Sequence, residues 1–586
     1  MRDIFTHFHF VVVGEIDALV KVGELPDGLD LTRVAVEPPR DPAHGDLSTN
    51  AAMILAKPAK MPPRDLAQKL AVRLAKEGDI TAADVAGPGF INLKIADAFW
   101  QARLIEILEA RTSYGDSDLG QGRRVNIEYV SANPTGPMHA GHVRGAVLGD
   151  ALANLLEKAG YEVTREYYFN DAGAQVDVLA RTAQLRYREA LGETIGEIPE
   201  GLYPGEYLKD VGAALVQRDG RKWLDQPESA WLVPIRDFAV QYMMREIRSD
   251  LDLIGIKHSV FTNERELIQN GTLDQAFDIL DKKGLIYTGT LPPPKGKTMD
   301  DWEPAELTLF RSSQFGDSTD RPLKKRDGSW AYIMPDIAYH FDKVRRGFRL
   351  MINVLGTDHG GYLERMRPAI AALSDGEVQL EVIFNNIVKV FRNGEPVKLS
   401  KRSGNLVTLR EMVEQVGAGA VRFMMLTRDP KSPLDFDFAK VIEQSKDNPV
   451  FYVQYAHARV SSVLRHARDE FTSHELAPAQ LAKAELSLLT DRDEIALIRL
   501  LTQWPSLVEG AAESHEPHRI AFYLQEVAAA FHGLWNKGNA DATLRFIQSD
   551  AKPLTLARLA LIQAVAFVVA SGLGVMGVTP LEELRG

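Results

Sequence analysis

One stretch constrains the fold more than any other. Residues 125–130 (VNIEYV) form a short apolar run of strand type. A turn broken by Pro134, Gly136 and Pro137 follows, then a helical run over about 139–159 closed by Gly160. In that run Val143, Val147, Ala151 and Leu155 step by four along one face. A second strand pattern, 161–169, begins at once. Strand, turn, helix, strand is the βαβ unit of a parallel sheet, because parallel neighbours need a long crossover. Further strand candidates at 349–355 and 378–390 lie between helical patterns and extend the alternation, which predicts an α/β fold.

The rest of the 586 residues divides around this unit. At about 100–200 residues per domain the length implies roughly three to five domains. In the first section, 65–76 (DLAQKLAVRLAK) places Leu66, Leu70, Val72 and Leu74 near one helical face, and 90–95 (FINLKI) alternates like a strand after Gly87-Pro88-Gly89. The Gly/Ser/Asp-rich stretch 113–122 reads as a linker, so domains are expected at 1–118 and 119–440, the second with an insertion at about 201–326. From 441 to 586 the pattern is almost wholly helical.

Composition removes several chemistries. With no cysteine there is no disulfide framework, Cys-ligated zinc or thiol nucleophile. The 68 Lys and Arg against 80 Asp and Glu leave a net charge of −12, which at face value argues against a nucleic-acid partner. The apolar run 10–13 is too short for a signal-peptide core. Residues 560–578 carry no charge, but they include Gly572, Gly574 and Gly577 and read as a buried terminal helix with a Gly-rich turn. The expectation is a cytoplasmic protein with no membrane partner.

Two motifs carry chemistry. In 131–142 (SANPTGPMHAGH), His139 and His142 flank Gly141 at a helix start. There free backbone N–H groups and the positive dipole end favour phosphate, and the absence of a side chain at Gly141 lets a flat base approach. Taken alone, the same four letters also suit a surface pair or a partial metal site. The second motif is 398–405 (KLSKRSGN), where Lys398 and Lys401 precede a Ser-Gly-Asn stretch. A lysine pair on a loop suits a polyphosphate that gains charge as bonds break, although alone it also reads as a solvated charged loop. A near match to a phosphate-binding loop at 291–298 (LPPPKGKT) is set aside, because Leu291 replaces the first Gly and three prolines remove N–H groups.

Together, in this order on a parallel α/β pattern, the two motifs resemble the signature pair of class I aminoacyl-tRNA synthetases. The longer stretches 125–150, 170–175 (NDAGAQ), 332–338 (YIMPDIA), 356–362 (GTDHGGY) and 448–459 (NPVFYVQYAHAR) are similar to the arginyl-tRNA synthetases, and the resemblance spans nearly the whole chain. It implies a Rossmann-like catalytic domain, an N-terminal α+β added domain that touches tRNA, and a C-terminal all-helical anticodon-binding bundle. It implies arginine–tRNA ligase activity: ATP and arginine give arginyl-adenylate, and the arginyl group passes to the terminal ribose of tRNA(Arg). ATP with Mg²⁺, arginine and tRNA(Arg) are the implied ligands, no protein-held metal is expected, and a monomer is expected.

The attacking group is then the substrate's own carboxylate, so catalysis rests on positioning and on charge stabilisation. By resemblance His139, His142, Lys398 and Lys401 are catalytic. Gly141, Asp358, His359 and Ser400 join them around ATP. A guanidinium needs acceptors, and the resemblance places Glu128, Asn133 and Gln175 on the substrate, with Tyr332 and Asp336, four apart on one helical face, reading the guanidinium. Tyr452 and Tyr455 are expected to stack on tRNA bases or to pack in a core. The family's Asp-Ala-Leu-Arg signature reads Thr555-Leu-Ala-Arg558 here, and the tail 579–586 (TPLEELRG) is atypical. Lys324-Lys325-Arg326, Arg345-Arg346 and 398–402 are candidates for local positive surface.

Overall fold

The computed structural model of the chain describes residues 3–39, 41–291, 306–397 and 407–584. The N-terminal section packs helices on a four-stranded antiparallel sheet, ordered Val36–Glu37, Leu47–Thr49, Phe90–Ile95, Ile80–Ala86. In its helix Pro63–Leu74, Leu66, Leu70 and Leu74 are buried as predicted, but Val72 is 53% exposed. Positions two apart on a helix lie about 200° from each other, so Val72 cannot share the stripe of Leu70 and Leu74. The section is braced on the far end of the chain: Gln101 donates to the Leu489 carbonyl at 2.9 Å, and Trp504 Nε1 donates to the Tyr114 carbonyl at 2.9 Å.

The central sheet has five parallel strands: β1 (Arg124–Glu128), β2 (Glu162–Phe169), β3 (Val260–Asn263), β4 (Leu350–Gly356) and β5 (Gln379–Asn385). Their spatial order is β5-β4-β1-β2-β3, all neighbours parallel. The chain winds outward from β1 to β3, then restarts at β4 on the other side. The predicted βαβ unit is present, with α1 (Ala140–Lys158) as crossover. Gly149 lets that helix lie close on the sheet, since a Cβ there would fall 2.3 Å from Cγ of Tyr129.

Two expectations need correction. The interval 201–326, read as an insertion, contains β3, because a strand of only four residues leaves little periodic signal. The run 378–390 is not one strand. It breaks at Asn385-Asn386, where Asn385 donates to the Leu355 carbonyl at 2.9 Å and the Asn386 N–H to the Pro430 carbonyl at 2.8 Å. Val388–Arg392 then leaves for a separate sheet with Leu434–Asp437 and Glu395–Pro396.

The C-terminal section is helical. Its last helix, Lys552–Val575, is the one helix among the described residues long and apolar enough to cross a membrane, yet 78% of its apolar window is buried inside the protein. It is a core helix, as the sequence predicts. Arg558 of the atypical signature donates to Glu494 at 2.7 Å and to the carbonyls of Thr543 and Arg545 at 2.7 and 2.8 Å. Thr555 exchanges hydrogen bonds with the Gln548 backbone at 2.9 and 3.0 Å. The signature residues therefore hold the bundle together. Buried Arg422 ties this end to α1, donating to Asp150 at 2.6 Å and to the Met576 carbonyl at 2.8 Å.

Candidate active site

In an open parallel sheet, ligands bind beyond the carboxyl ends of the strands where the winding reverses. Here that point lies between β1 and β4. The chain leaves β1 in strain: Val130 and Ser131 have φ of +71° and +42°, and a β-branched residue rarely takes that conformation. Side-chain bonds hold the turn there. Ser131 Oγ donates to Glu128 at 3.0 Å and accepts from the Tyr168 N–H at 3.2 Å, and the Tyr167 hydroxyl donates to the Ala132 carbonyl at 2.7 Å.

The turn delivers the two histidines to the start of α1. His139 is its N-cap, and its Nδ1 accepts from the Gly141 N–H at 3.1 Å. His142 reaches back so that its Nδ1 accepts from the His139 N–H at 3.4 Å. This is a capping box built from imidazoles. With each Nδ1 accepting, the hydrogen-bond network assigns the proton to Nε2 in both rings, and Nε2 of His139 is buried. The rings lie 3.9 Å apart at 30°.

Lys398, Ser400 and Lys401 lie outside the described residues. The segment just after them is locked to the histidine turn: the Ala140 N–H donates to the Val407 carbonyl at 3.0 Å, Thr408 bridges His139, and the Leu409 N–H donates to the Met138 carbonyl at 2.9 Å. Asp358 and His359 sit on the short turn Thr357–His359 directly after β4, with side chains 83% and 53% exposed.

Beside the turn lies an acidic cluster. Glu128, on the β1 face expected from its alternation with buried Ile127 and Tyr129, is 5% exposed. Asp336, in the first turn of α2 (Ile333–Arg345), is partly buried. Burial first, then the nearby charges of Glu128 and Glu264, pushes its carboxyl up to about 7, with Arg365 opposing. Glu264 follows β3 and accepts from the Tyr168 hydroxyl and from Asn170, both at 2.7 Å; burial raises it as well. Partly buried Tyr362 has its hydroxyl raised well above the ordinary value by burial and then by Asp336. Carboxylates held above their usual range beside one another are what a cation would relieve.

Asn133 and Gln175 are brought together: Asn133 donates to Gln175 at 3.3 Å, while its oxygen accepts from the Asn170 N–H at 3.1 Å. Tyr332 is 87% exposed at the cap position before α2, whereas Asp336 lies among the other acidic groups. Sequence reasoning missed Glu264, Tyr168, Tyr362 and the fully buried Lys343, which donates to Glu128 at 2.8 Å. Glu264 was discoverable as the residue after a strand end, but that strand was hidden in the supposed insertion.

Away from this crevice, Tyr452 and Tyr455 are half-buried on the helix Pro449–Ala467. Arg459 lies 4.0 Å over the Tyr455 ring and donates to its hydroxyl at 3.0 Å, and Tyr452 packs 4.6 Å from His532. Arg345 and Arg346 are not a free positive patch, because Arg346 pairs with Glu166 at 2.7 Å and Asp342 at 2.9 Å, and Arg345 with Asp342 at 3.0 Å.

Comparison with known proteins identifies the family. Three family models match in succession: "Arginyl tRNA synthetase N terminal domain" at 15–95, "tRNA synthetases class I (R), catalytic domain" at 103–432 and "DALR anticodon binding domain" at 453–584. The chain is 61% identical over 583 residues to the arginine–tRNA ligase of Parvibaculum lavamentivorans and 57% identical over 583 residues to that of Cereibacter sphaeroides, covering 100% of both chains in each case. Among solved structures, the Thermus thermophilus arginyl-tRNA synthetase shares the fold with a TM-score of 0.71 and 21% identity, over 98% of this chain and 99% of that one. The family matches span most of the chain, and the chain belongs to the arginyl-tRNA synthetases of class I.

Proposed function

We propose that the crevice beyond β1 and β4 is where this arginine–tRNA ligase activates arginine and transfers it to tRNA(Arg). The observation that carries this reading is the acidic cluster of Glu128, Asp336 and Glu264 lying beside a helix N-terminus capped by two imidazoles. Asp336 takes the guanidinium, with Glu264 behind it and Tyr332 as a cover from the helix start. Glu128 sits on the strand that feeds the histidine turn and is placed, with Asn133 and Gln175, for the α-ammonium end.

The substrate carboxylate attacks the α-phosphorus of ATP, and pyrophosphate leaves with the bonding electron pair. The Nε2–H donors of His139 and His142, the helix N-terminus and the lysines Lys398 and Lys401 stabilise the growing phosphate charge. Gly141 leaves room for the base, Asp358 and His359 flank the adenosine, and Ser400 joins them from the lysine loop. In the second step a ribose hydroxyl of tRNA attacks the arginyl carbonyl, and AMP leaves. Mg²⁺ travels on the ATP phosphates and neutralises their charge; among the described residues no group of three His, Asp or Glu side chains is arranged to hold a metal. Sections 1–118 and 441–586 hold the tRNA, the latter with Tyr452 and Tyr455 against bases. The enzyme acts in the cytoplasm as a monomer.

The test is ATP–pyrophosphate exchange with a panel of amino acids, with and without tRNA. Arginine alone should support exchange; stimulation by another amino acid and not by arginine overturns the reading. A pH dependence follows. Bound guanidinium, which does not titrate, requires ionised Asp336, whose free carboxyl is held near 7. Arginine affinity should therefore fall as pH drops below about 7, by up to tenfold per unit, with proton release on binding. Calorimetry in buffers of different ionisation enthalpy measures both, and a flat affinity from pH 6 to 8 counts against the assignment.

A further inference from the structure

Beneath the arginine pocket runs a polar chain that the reaction itself does not use. Lys343, Asn353 and His340 are each 0% exposed. Lys343 Nζ donates to Glu128 Oε2 at 2.8 Å and to Asn353 Oδ1 at 3.4 Å. Asn353 Nδ2 lies 2.9 Å from His340 Nε2, and His340 Nδ1 lies 2.9 Å from the Asp336 carbonyl. The directions agree at every link. A carbonyl can only accept, so His340 Nδ1 carries the proton, its Nε2 accepts from the Asn353 amide, and the Asn353 oxygen is left to accept from Lys343. Burial holds the His340 ring neutral, pushing it down to about 3, so this tautomer persists across working pH.

The chain connects separate elements. Glu128 on β1 and Asn353 on β4 are partners in register and present side chains to the same face. Helix α2, which carries Asp336, His340 and Lys343, covers that face. The network thus ties the helix bearing one substrate-binding carboxylate to the strand bearing the other. Burying an ammonium and a carboxylate is expensive, and apolar residues of similar volume stabilise a fold as well or better, so such a pair is better suited to precision than to stability.

We propose that Lys343, Asn353 and His340 are positioning residues that fix the separation of Glu128 and Asp336, and so set the length of amino-acid side chain the enzyme accepts. This rests on the assignment of those two carboxylates to the two ends of arginine. A methylene is about 1.3 Å long, more than hydrogen bonds of this kind can absorb. Rejection of a substrate one methylene too long is accordingly worth about 10–200-fold in an intact pocket.

The experiment measures kcat/KM in tRNA charging for arginine and for homoarginine, one methylene longer, in wild type, Asn353→Asp and Lys343→Met. The aspartate is nearly isosteric, cannot donate to His340 and draws Lys343 away from Glu128. In both variants the preference for arginine should narrow about tenfold, with a raised KM for arginine and an unchanged KM for ATP. If the two substrates lose equally, so that the ratio stands, the residues are merely structural and the proposal is overturned. Should Lys343→Met not fold, Asn353→Asp decides. Glu128→Gln and Asp336→Asn are run alongside: if these leave arginine kinetics untouched, the pocket assignment itself has failed, an outcome distinct from failure of the network.

Discussion

Asp336→Asn should lose roughly 10²- to 10³-fold or more in kcat/KM for arginine while its KM for ATP stays near that of wild type. Removing one partner of a desolvated ion pair costs about 3–5 kcal/mol, because the other charge is left buried and unpaired. Asparagine keeps the shape of the side chain and mimics the protonated carboxyl, so the loss reports charge and not packing. Stability should move the other way. A carboxyl raised in the folded state weakens the fold increasingly as pH climbs from the ordinary carboxylate range through about 7. At pH 8 the ligand-free variant should therefore melt no lower than wild type, whereas added arginine should raise the melting temperature of wild type alone. An arginine-dependent shift of equal size in both proteins would remove Asp336 from the guanidinium site.

His142→Ala should reduce the rate of ATP–pyrophosphate exchange by about 10²- to 10³-fold, the usual consequence of deleting one donor aimed at a developing charge. Its effect on arginine KM should be small, since the proposed role of the ring is toward the phosphates and not the amino acid. The side chain has a second task, because its Nδ1 accepts from the His139 N–H at the helix cap. Losing such a cap costs about 1 kcal/mol. His142→Gln separates the two tasks: glutamine at this position can still reach back to the cap N–H, but it lacks the imidazole Nε2–H proposed to serve the phosphates. Exchange should remain low in both variants while thermal stability recovers in the glutamine one. Recovery of both together would mean that the ring serves the helix and not the chemistry.

The negative net charge does not conflict with a tRNA partner. Charge summed over a chain governs bulk behaviour, and recognition depends on where charges sit. Within the catalytic domain much of the acidic side-chain content is committed internally. Asp150 is bound to Arg422, Glu166 to Arg346 and Glu128 to Lys343. The same pairing removes Arg346 from the positive surface the sequence suggested, which is a reminder that a run of two arginines says nothing about their partners.

What was legible in the chain is what depends on neighbours along it. The period of four in α1, the alternation around Glu128 and the Pro/Gly break between them determine a strand, a turn and a helix start, and two histidines at a helix N-terminus already point to phosphate chemistry. The family's motifs add the substrate. Contacts between distant segments were not legible. Local spacing put Tyr332 and Asp336 on one stripe, and the backbone of Tyr332 is helical, yet Tyr332 at the helix start is in solvent while Asp336 one turn on is covered by other elements. Glu264 joins Asp336 because β3 lies at the edge of the sheet, and Lys343 becomes the counter-charge of Glu128 because α2 crosses the β1–β4 face. Periodicity reports which way a side chain points from its own element; only the packing of elements decides which charge it meets, and in a desolvated pocket that meeting sets the ionisation, and with it the chemistry.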